Sequence, residues 1–251
     1  MSEYQYPKFL MFGDSITELS FNQTLVPDQF LLGPALVSAY ARKLDVLHRG
    51  FSGYNSEWIK MMLPKILKYE HDSRSEYDNI KIAYLFIGTN DGRKRNDDAP
   101  NGKLHVPLDK YEKNLKEMID LFLDKKIKLI LIAPGLHYPE KWFKPYPEDK
   151  KQNVGTVPEE LLKYSETVVR IAEEYKLPYV NMSKIMKDSG ISLDDLLSDG
   201  VHYTGKSYKL FFDNLMEAIK TSYPEYHPDN IKTRFPLVTD DDVGEKLAKF
   251  D

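Results

Sequence analysis

Cysteine is absent from the 251 residues, which excludes disulfides, thiolate nucleophiles and cysteine-ligated metals in one step. Long apolar runs are missing as well. No stretch reaches the ~20 residues that cross a bilayer, and no basic segment followed by an apolar core opens the chain. The expectation is a soluble, cytoplasmic protein without membrane insertion. An excess of basic charge is lacking too: 35 Lys and Arg face 39 Asp and Glu, a net charge of −4. That balance leaves no footprint for nucleic acid. The six histidines, His48, His71, His105, His137, His202 and His227, show no H-E-x-x-H or similar spacing, so neither a metal nor another cofactor is expected.

What the chain does contain is enough apolar residue for a core, 41% of the total, at a length that suits one large α/β domain over 1–251. Apolar runs at 9–12, 45–49, 80–87, 128–133 and 178–181 read as strands. Stretches with helical spacing at 29–43, 57–69, 107–124, 158–175 and 205–221 read as helices, with a short turn at 194–197. Pro64 is expected to kink or break its helix. Strict alternation predicts a five-stranded parallel sheet with helices on both faces, and ligands beyond the carboxyl ends of its strands. The charged loop 93–102, with Arg93-Lys94-Arg95, reads as solvated, with recognition of an anionic substrate as the lesser alternative. The segment 134–157 is long for a connection and reads as a lid or binding loop. Its Leu136, His137, Trp142 and Phe143 are candidate substrate-binding residues. The tail 222–251 is expected to wrap the body, and there to close the site's entrance or to serve self-association as a homodimer.

The stretch Phe9 to Glu18 carries the chemistry. An apolar strand stops at Gly13 and holds up Asp14 and Ser15. Ser15 with Glu18 reads as a capping box, in which the serine satisfies a helix N–H, or Ser15 is a nucleophile. The second reading needs a base, because a serine hydroxyl is weak at neutral pH. His202 is the candidate, with Asp199 three residues earlier to orient it. The N–H groups of Ser15 and Gly53 and the side-chain amide of Asn90 would supply an oxyanion hole. Each of these has an ordinary reading as a turn or cap residue. Together they follow successive strands and face one edge.

Gly13-Asp14-Ser15, Gly53, Gly88-Thr89-Asn90-Asp91 and Asp199-Gly200-Val201-His202 resemble the four blocks of the SGNH hydrolases, the GDSL-like lipase and esterase family. The likeness spans residues 13 to 202, with Ile16 where the family name has leucine. Gly13 to Glu18, Arg49 to Tyr54, Asp199 to Thr204 and Tyr223 to Pro228 are further similar to the fungal isoamyl-acetate-hydrolysing esterase subgroup. The resemblance implies a flavodoxin-like three-layer α/β/α sandwich and hydrolysis of short-chain acetate esters, with a small neutral ester as the partner. It also implies Ser15 as nucleophile, His202 as base, Asp199 as its orienter, and Gly53 and Asn90 in the oxyanion hole.

Other readings share the chain. Carbohydrate O-acetylesterases, thioesterases and lysophospholipases would use the same residues. Gly200 to Ser207 fits the P-loop pattern G-x-x-x-x-G-K-[ST], a nucleotide-binding alternative that requires a strand before it and strands after it. A non-catalytic binding protein is disfavoured because no catalytic position is missing. The G-x-S-x-G elbow of α/β-hydrolases is absent around Ser15.

Overall fold

The computed structural model describes residues 5–23 and 29–249, so the last two residues of the tail lie outside it. In chain order the elements are β1 (Lys8–Gly13), α1 (Ser15–Glu18), α2 (Leu32–Ala39), β2 (Asp45–Gly50), α3 (Ser56–Leu67), β3 (Ile80–Phe86), α4 (Leu108–Asp124) and β4 (Lys128–Ala133). They continue with α5 (Pro139–Trp142), α6 (Pro147–Lys151), α7 (Pro158–Tyr175), β5 (Tyr179–Asn181), α8 (Met182–Asp188), α9 (Leu193–Leu196), α10 (Gly205–Ser222) and α11 (Val243–Leu247). All strand pairs are parallel, in the order β2-β1-β3-β4-β5. The order reverses between β1 and β3, and a crevice forms at such a switch point.

Period-2 alternation divides the sheet between two cores. Leu10, Phe12, Ala83, Leu85, Leu129 and Leu131 point to the layer of α3, α4 and α7, whereas Phe9, Met11, Ile82, Tyr84, Ile130 and Ile132 point to that of α2, α8 and α10. Helical spacing supplies the covering faces. Tyr111, Leu115, Met118, Ile119 and Phe122 of α4 close the first core, and Tyr208, Phe211, Leu215 and Ile219 of α10 close the second. The architecture is a three-layer α/β/α sandwich.

Some elements depart from the expectation. The helix expected over 29–43 is confined to α2, and a turn containing Arg42 at φ 62° leads into β2. Pro64 does not break α3, which runs through it to Leu67 before a π-helical turn over Lys68–Asp72. The ring lies on the exposed face, clear of the core, so the helix forfeits one backbone bond there without losing its packing. Helix α8 was not expected. The tail packs at the amino ends of β1 and β2: Arg42 Nη2 donates to Phe235 O and Pro236 O, Lys43 Nζ to Pro228 O, and Tyr40 Oη to Tyr226 O. That is the edge opposite Ser15, so the described tail does not close the site's entrance.

Candidate active site

At the carboxyl end of β1, Asp14 caps α1, its Oδ1 accepting from Ile16 N–H at 3.0 Å. The capping box therefore does not form. Glu18 accepts instead from the Ser52 N–H at 2.6 Å, which ties α1 to the loop after β2. Relieved of the cap, Ser15 occupies the first helical position, where its own N–H has no intrahelical acceptor. Its Oγ lies 3.0 Å from His202 Nε2.

Asp199 organises the turn that carries the histidine. Its Oδ1 accepts from the N–H groups of Val201 at 3.0 Å and His202 at 2.9 Å, while Oδ2 lies 2.6 Å from His202 Nδ1. Burial pushes this carboxyl up, but the His202 ring and the two backbone donors outweigh it and hold the group at about 2. An ionised carboxylate only accepts, so Nδ1 carries the imidazole proton. Nε2 is left to accept from the Ser15 hydroxyl.

Gly200 fixes where this turn sits. Its φ is +97°, and a Cβ there would lie 2.3 Å from Tyr138 O and 2.6 Å from Trp142 N. The start of α5 is seated on that bare backbone. Tyr138 N–H donates to Gly200 O at 2.8 Å, and Lys141 Nζ reaches Asp194 O and Leu197 O at 2.7 Å each.

Two further turns face the serine's edge. Gly53, at φ +77°, has nothing within 4 Å of where a Cβ would stand, so its peptide borders open space. Asn90, buried after β3, donates one Nδ2 hydrogen to Tyr54 O at 2.9 Å. An amide has two such hydrogens, so one is left for a ligand. Asp91 accepts from Ser56 N–H at 2.9 Å. The Glu18 bond to Ser52 N–H and the Asn90 bond to Tyr54 O thus bracket Gly53, and the Asp91 bond fixes the chain just after it.

Fully buried acids line the floor. Burial raises Asp14 from 3.8 to about 6 and Asp91 from 3.8 to about 7, against the hydrogen bonds each accepts. Neither was singled out for this in the sequence, although each stands beside a residue that was.

The segment 134–157 is packed rather than open. His137 is buried, with Nδ1 2.7 Å from Thr156 Oγ1, and burial, followed by the neighbouring Arg93 and His202, lowers it to about 3, so it is neutral at ordinary pH. Leu136 packs into the second core, and the Phe143 ring approaches Gly155. Of the four candidates in this segment, Trp142 stands against the site, with its ring centroid 6.2 Å from that of His202. Arg93 is a correction. It is 5% exposed, not solvated, and its guanidinium lies 4.6 Å from the Trp142 ring centroid. Sequence gave no signal for this, because the partners that bury it lie some fifty residues on.

The P-loop reading fails on topology. The last strand, β5, ends at Asn181, and the residues before Gly205 form a loop after α9. Lys206 pairs with Asp195 at 3.3 Å, and Ser207 Oγ donates to Leu196 O.

A serine hydroxyl donating to an imidazole, itself held by an ionised carboxylate, with amide donors at the same edge, is an arrangement fit for acyl transfer. Comparison with known proteins agrees. The GDSL-like lipase/acylhydrolase family model matches residues 9–215. The chain is 40% identical over 231 residues to the isoamyl acetate-hydrolyzing esterase of Saccharomyces cerevisiae, covering 90% of this chain and 92% of that one. In fold it is similar to a lipase/acylhydrolase from Enterococcus faecalis, with a TM-score of 0.63 and 20% identity over 91% of this chain and 98% of the other. The same holds for an acetylxylan esterase from Geobacillus stearothermophilus, at a TM-score of 0.61 and 20% identity over 87% and 96%. On these grounds the chain belongs to the GDSL-like lipase/acylhydrolase family.

Proposed function

We propose that the protein is a serine esterase that hydrolyses short-chain acetate esters such as isoamyl acetate through an acyl-enzyme. The observation that carries the mechanism is the continuous hydrogen-bonded line from Ser15 through His202 to Asp199. Ser15 Oγ attacks the ester carbonyl as His202 Nε2 takes its proton, and Asp199 stabilises the imidazolium. The oxyanion is received by the N–H groups of Ser15 and Gly53 and the free hydrogen of Asn90 Nδ2. His202 then returns the proton to the departing alcohol. Water, deprotonated by the same nitrogen, releases the acid and restores the serine.

The acetate preference is supported by the 40% identity to the yeast enzyme. The likeness to the acetylxylan esterase is one of fold. A panel of esters varying in acyl length, with thioester, acetylated-sugar and lysophospholipid members, tests it. The highest kcat/KM is expected for acetates of small alcohols, and a preference for long acyl chains or acetylated sugars would overturn the assignment.

The whole of 1–251 is proposed to act as one catalytic domain, in the cytoplasm. Among the described residues, no helix is long and apolar enough to cross a membrane. Leu237, Val238 and Leu247 present exposed apolar side chains on the tail, which supports self-association there as a homodimer. Truncation after Tyr223 is expected to convert a dimer to a monomer in solution, and a mass lowered only by the residues removed would take the tail out of that role.

A further inference from the structure

Arg93 is a cation almost withdrawn from water. Among the described residues no hydrogen-bond partner reaches its Nε or Nη1, and the nearest carboxylate oxygen, Asp149 Oδ2, is 3.6 Å from Nη1. A buried guanidinium so poorly satisfied is costly, and a loop that needed only charge would leave it in solvent. Its guanidinium lies over the Trp142 ring instead, a cation–π contact that strengthens when desolvated. Asp149 grips the same ring from its edge, accepting from Trp142 Nε1 at 2.8 Å, and is itself held by Asn101 Nδ2 at 3.0 Å. Tyr146 stacks on the indole at 4.2 Å. The loop after β3 and the loop after β4 are also joined by backbone, with Arg93 bridged to Thr156 and Lys94 N–H donating to Gly155 O at 2.7 Å.

The clamped object is the ring beside His202. The imidazole is fixed along its own plane by Asp199 and Ser15, but two in-plane hydrogen bonds resist tilting poorly. A rigid indole beside it supplies that restraint. Helix α5, which ends in Trp142, is seated on Gly200 of the same histidine turn. The loop after β4 is thereby built as a fixed wall for the base.

We infer that Arg93 is a positioning residue of this site, acting through Trp142, which it and Asp149 hold against the His202 ring. This rests on the reading of His202 as the general base. Arg93 makes no hydrogen bond to Ser15, Asp199 or His202 among the described residues, although its charge is close enough to Asp199 to be felt there, and its effect is assigned to the chemical step. Lysine is not an equal replacement, because its ammonium is a compact, strongly hydrated point charge in place of a weakly hydrated, delocalised guanidinium.

The test compares Arg93→Lys, Arg93→Met, Trp142→Leu and Trp142→Phe, with Arg95→Ala as an exposed neighbour and Ser15→Ala as the control for the mechanism. Each is read by thermal unfolding, by kcat and KM on an aryl acetate, and by the rate of organophosphonate labelling. Loosening a reacting geometry by a fraction of an ångström to an ångström costs up to about a hundredfold. Both Arg93 variants and Trp142→Leu are expected to lose about tenfold to a hundredfold in kcat and labelling rate with KM unchanged. Trp142→Phe is expected to recover most of the loss, and Arg95→Ala to match the parent. Parental kcat in folded Arg93→Met, or a change confined to KM, overturns the inference. If Arg93→Met does not fold, parental kcat in Trp142→Leu overturns it equally. Activity surviving in Ser15→Ala would defeat the mechanism itself, a result distinguishable from failure of the Arg93 inference alone.

Discussion

Ser15 Oγ and His202 Nε2 stand 3.0 Å apart although 187 residues separate them in the chain. The contact exists because β1 ends at the switch point of the sheet while the Asp199 turn, entered from α9 and left by α10, is laid over the same edge. Removing the hydroxyl leaves this framework intact, since Ser15 is not the cap of its helix. Ser15→Ala is therefore expected to keep the parental unfolding temperature while kcat drops by several orders of magnitude. Turnover with initial rates and thermal melts checks both halves.

Asp199→Asn separates charge from geometry. An asparagine Oδ1 can still accept from Val201 and His202 N–H, so the turn persists. Its Nδ2 would face His202 Nδ1, which must then give up its proton and place it on Nε2, the wrong nitrogen for a base. A loss of about a thousandfold or more in kcat is expected, together with a lower unfolding temperature, because the contacts that hold this carboxyl at about 2 also stabilise the fold.

The glycines make opposite predictions. At Gly53 there is space for a methyl group, so Gly53→Ala costs only the left-handed strain, about 1–2 kcal/mol, and acts on the oxyanion loop. At Gly200 the same strain is joined by a collision 2.3 Å from Tyr138 O, which lifts α5 from the histidine turn. Gly200→Ala is expected to lose more in both unfolding temperature and kcat. For Asn90→Ala, about a hundredfold to a thousandfold loss in kcat is expected from the missing donor.

Much of the site was legible because its residues follow strands: a glycine-bounded turn after an apolar run marks Ser15, Gly53 and Asn90 wherever the chain is read. The Asp199 and His202 pair was legible because three residues of separation set a local turn. The cap was misassigned to Ser15 because Asp14 and Ser15 are both good cap residues and sequence does not fix which one adopts helical angles. Arg93 was illegible for a different reason. A cation in a charged loop reads as solvated, and its burial depends on Trp142 and Asp149, which only the tertiary fold brings near. Helix α8 did leave a signal, since Asn181 caps it by accepting from Lys184 N–H at 3.0 Å, but that asparagine also ends the strand read over 178–181, and seven residues are too few for a helical period to stand out.

The buried acids set a pH dependence of stability. Asp91 goes from 3.8 to about 7 and Asp14 from 3.8 to about 6 on folding, so between those values the folded chain holds more protons than the unfolded one. Their contribution to stability therefore falls as pH rises from about 4 to about 7. Asp199 works oppositely, its contribution being present above 3.8 and lost as pH falls toward about 2. Asp91→Asn cannot ionise and keeps an acceptor for Ser56 N–H. It is expected to shrink the loss of unfolding temperature between pH 5 and pH 8, measured by thermal melts in matched ionic strength. An undiminished loss would show that Asp91 does not carry it.

The most direct measurement is the stoichiometry and position of an organophosphonate label, mapped by peptide mass as activity is lost. One label per chain on Ser15 is expected, rising in step with inactivation, and none in Ser15→Ala. Inactivation with the label on another residue, or undiminished hydrolysis of an aryl acetate by Ser15→Ala, would contradict the assignment of Ser15 as the nucleophile.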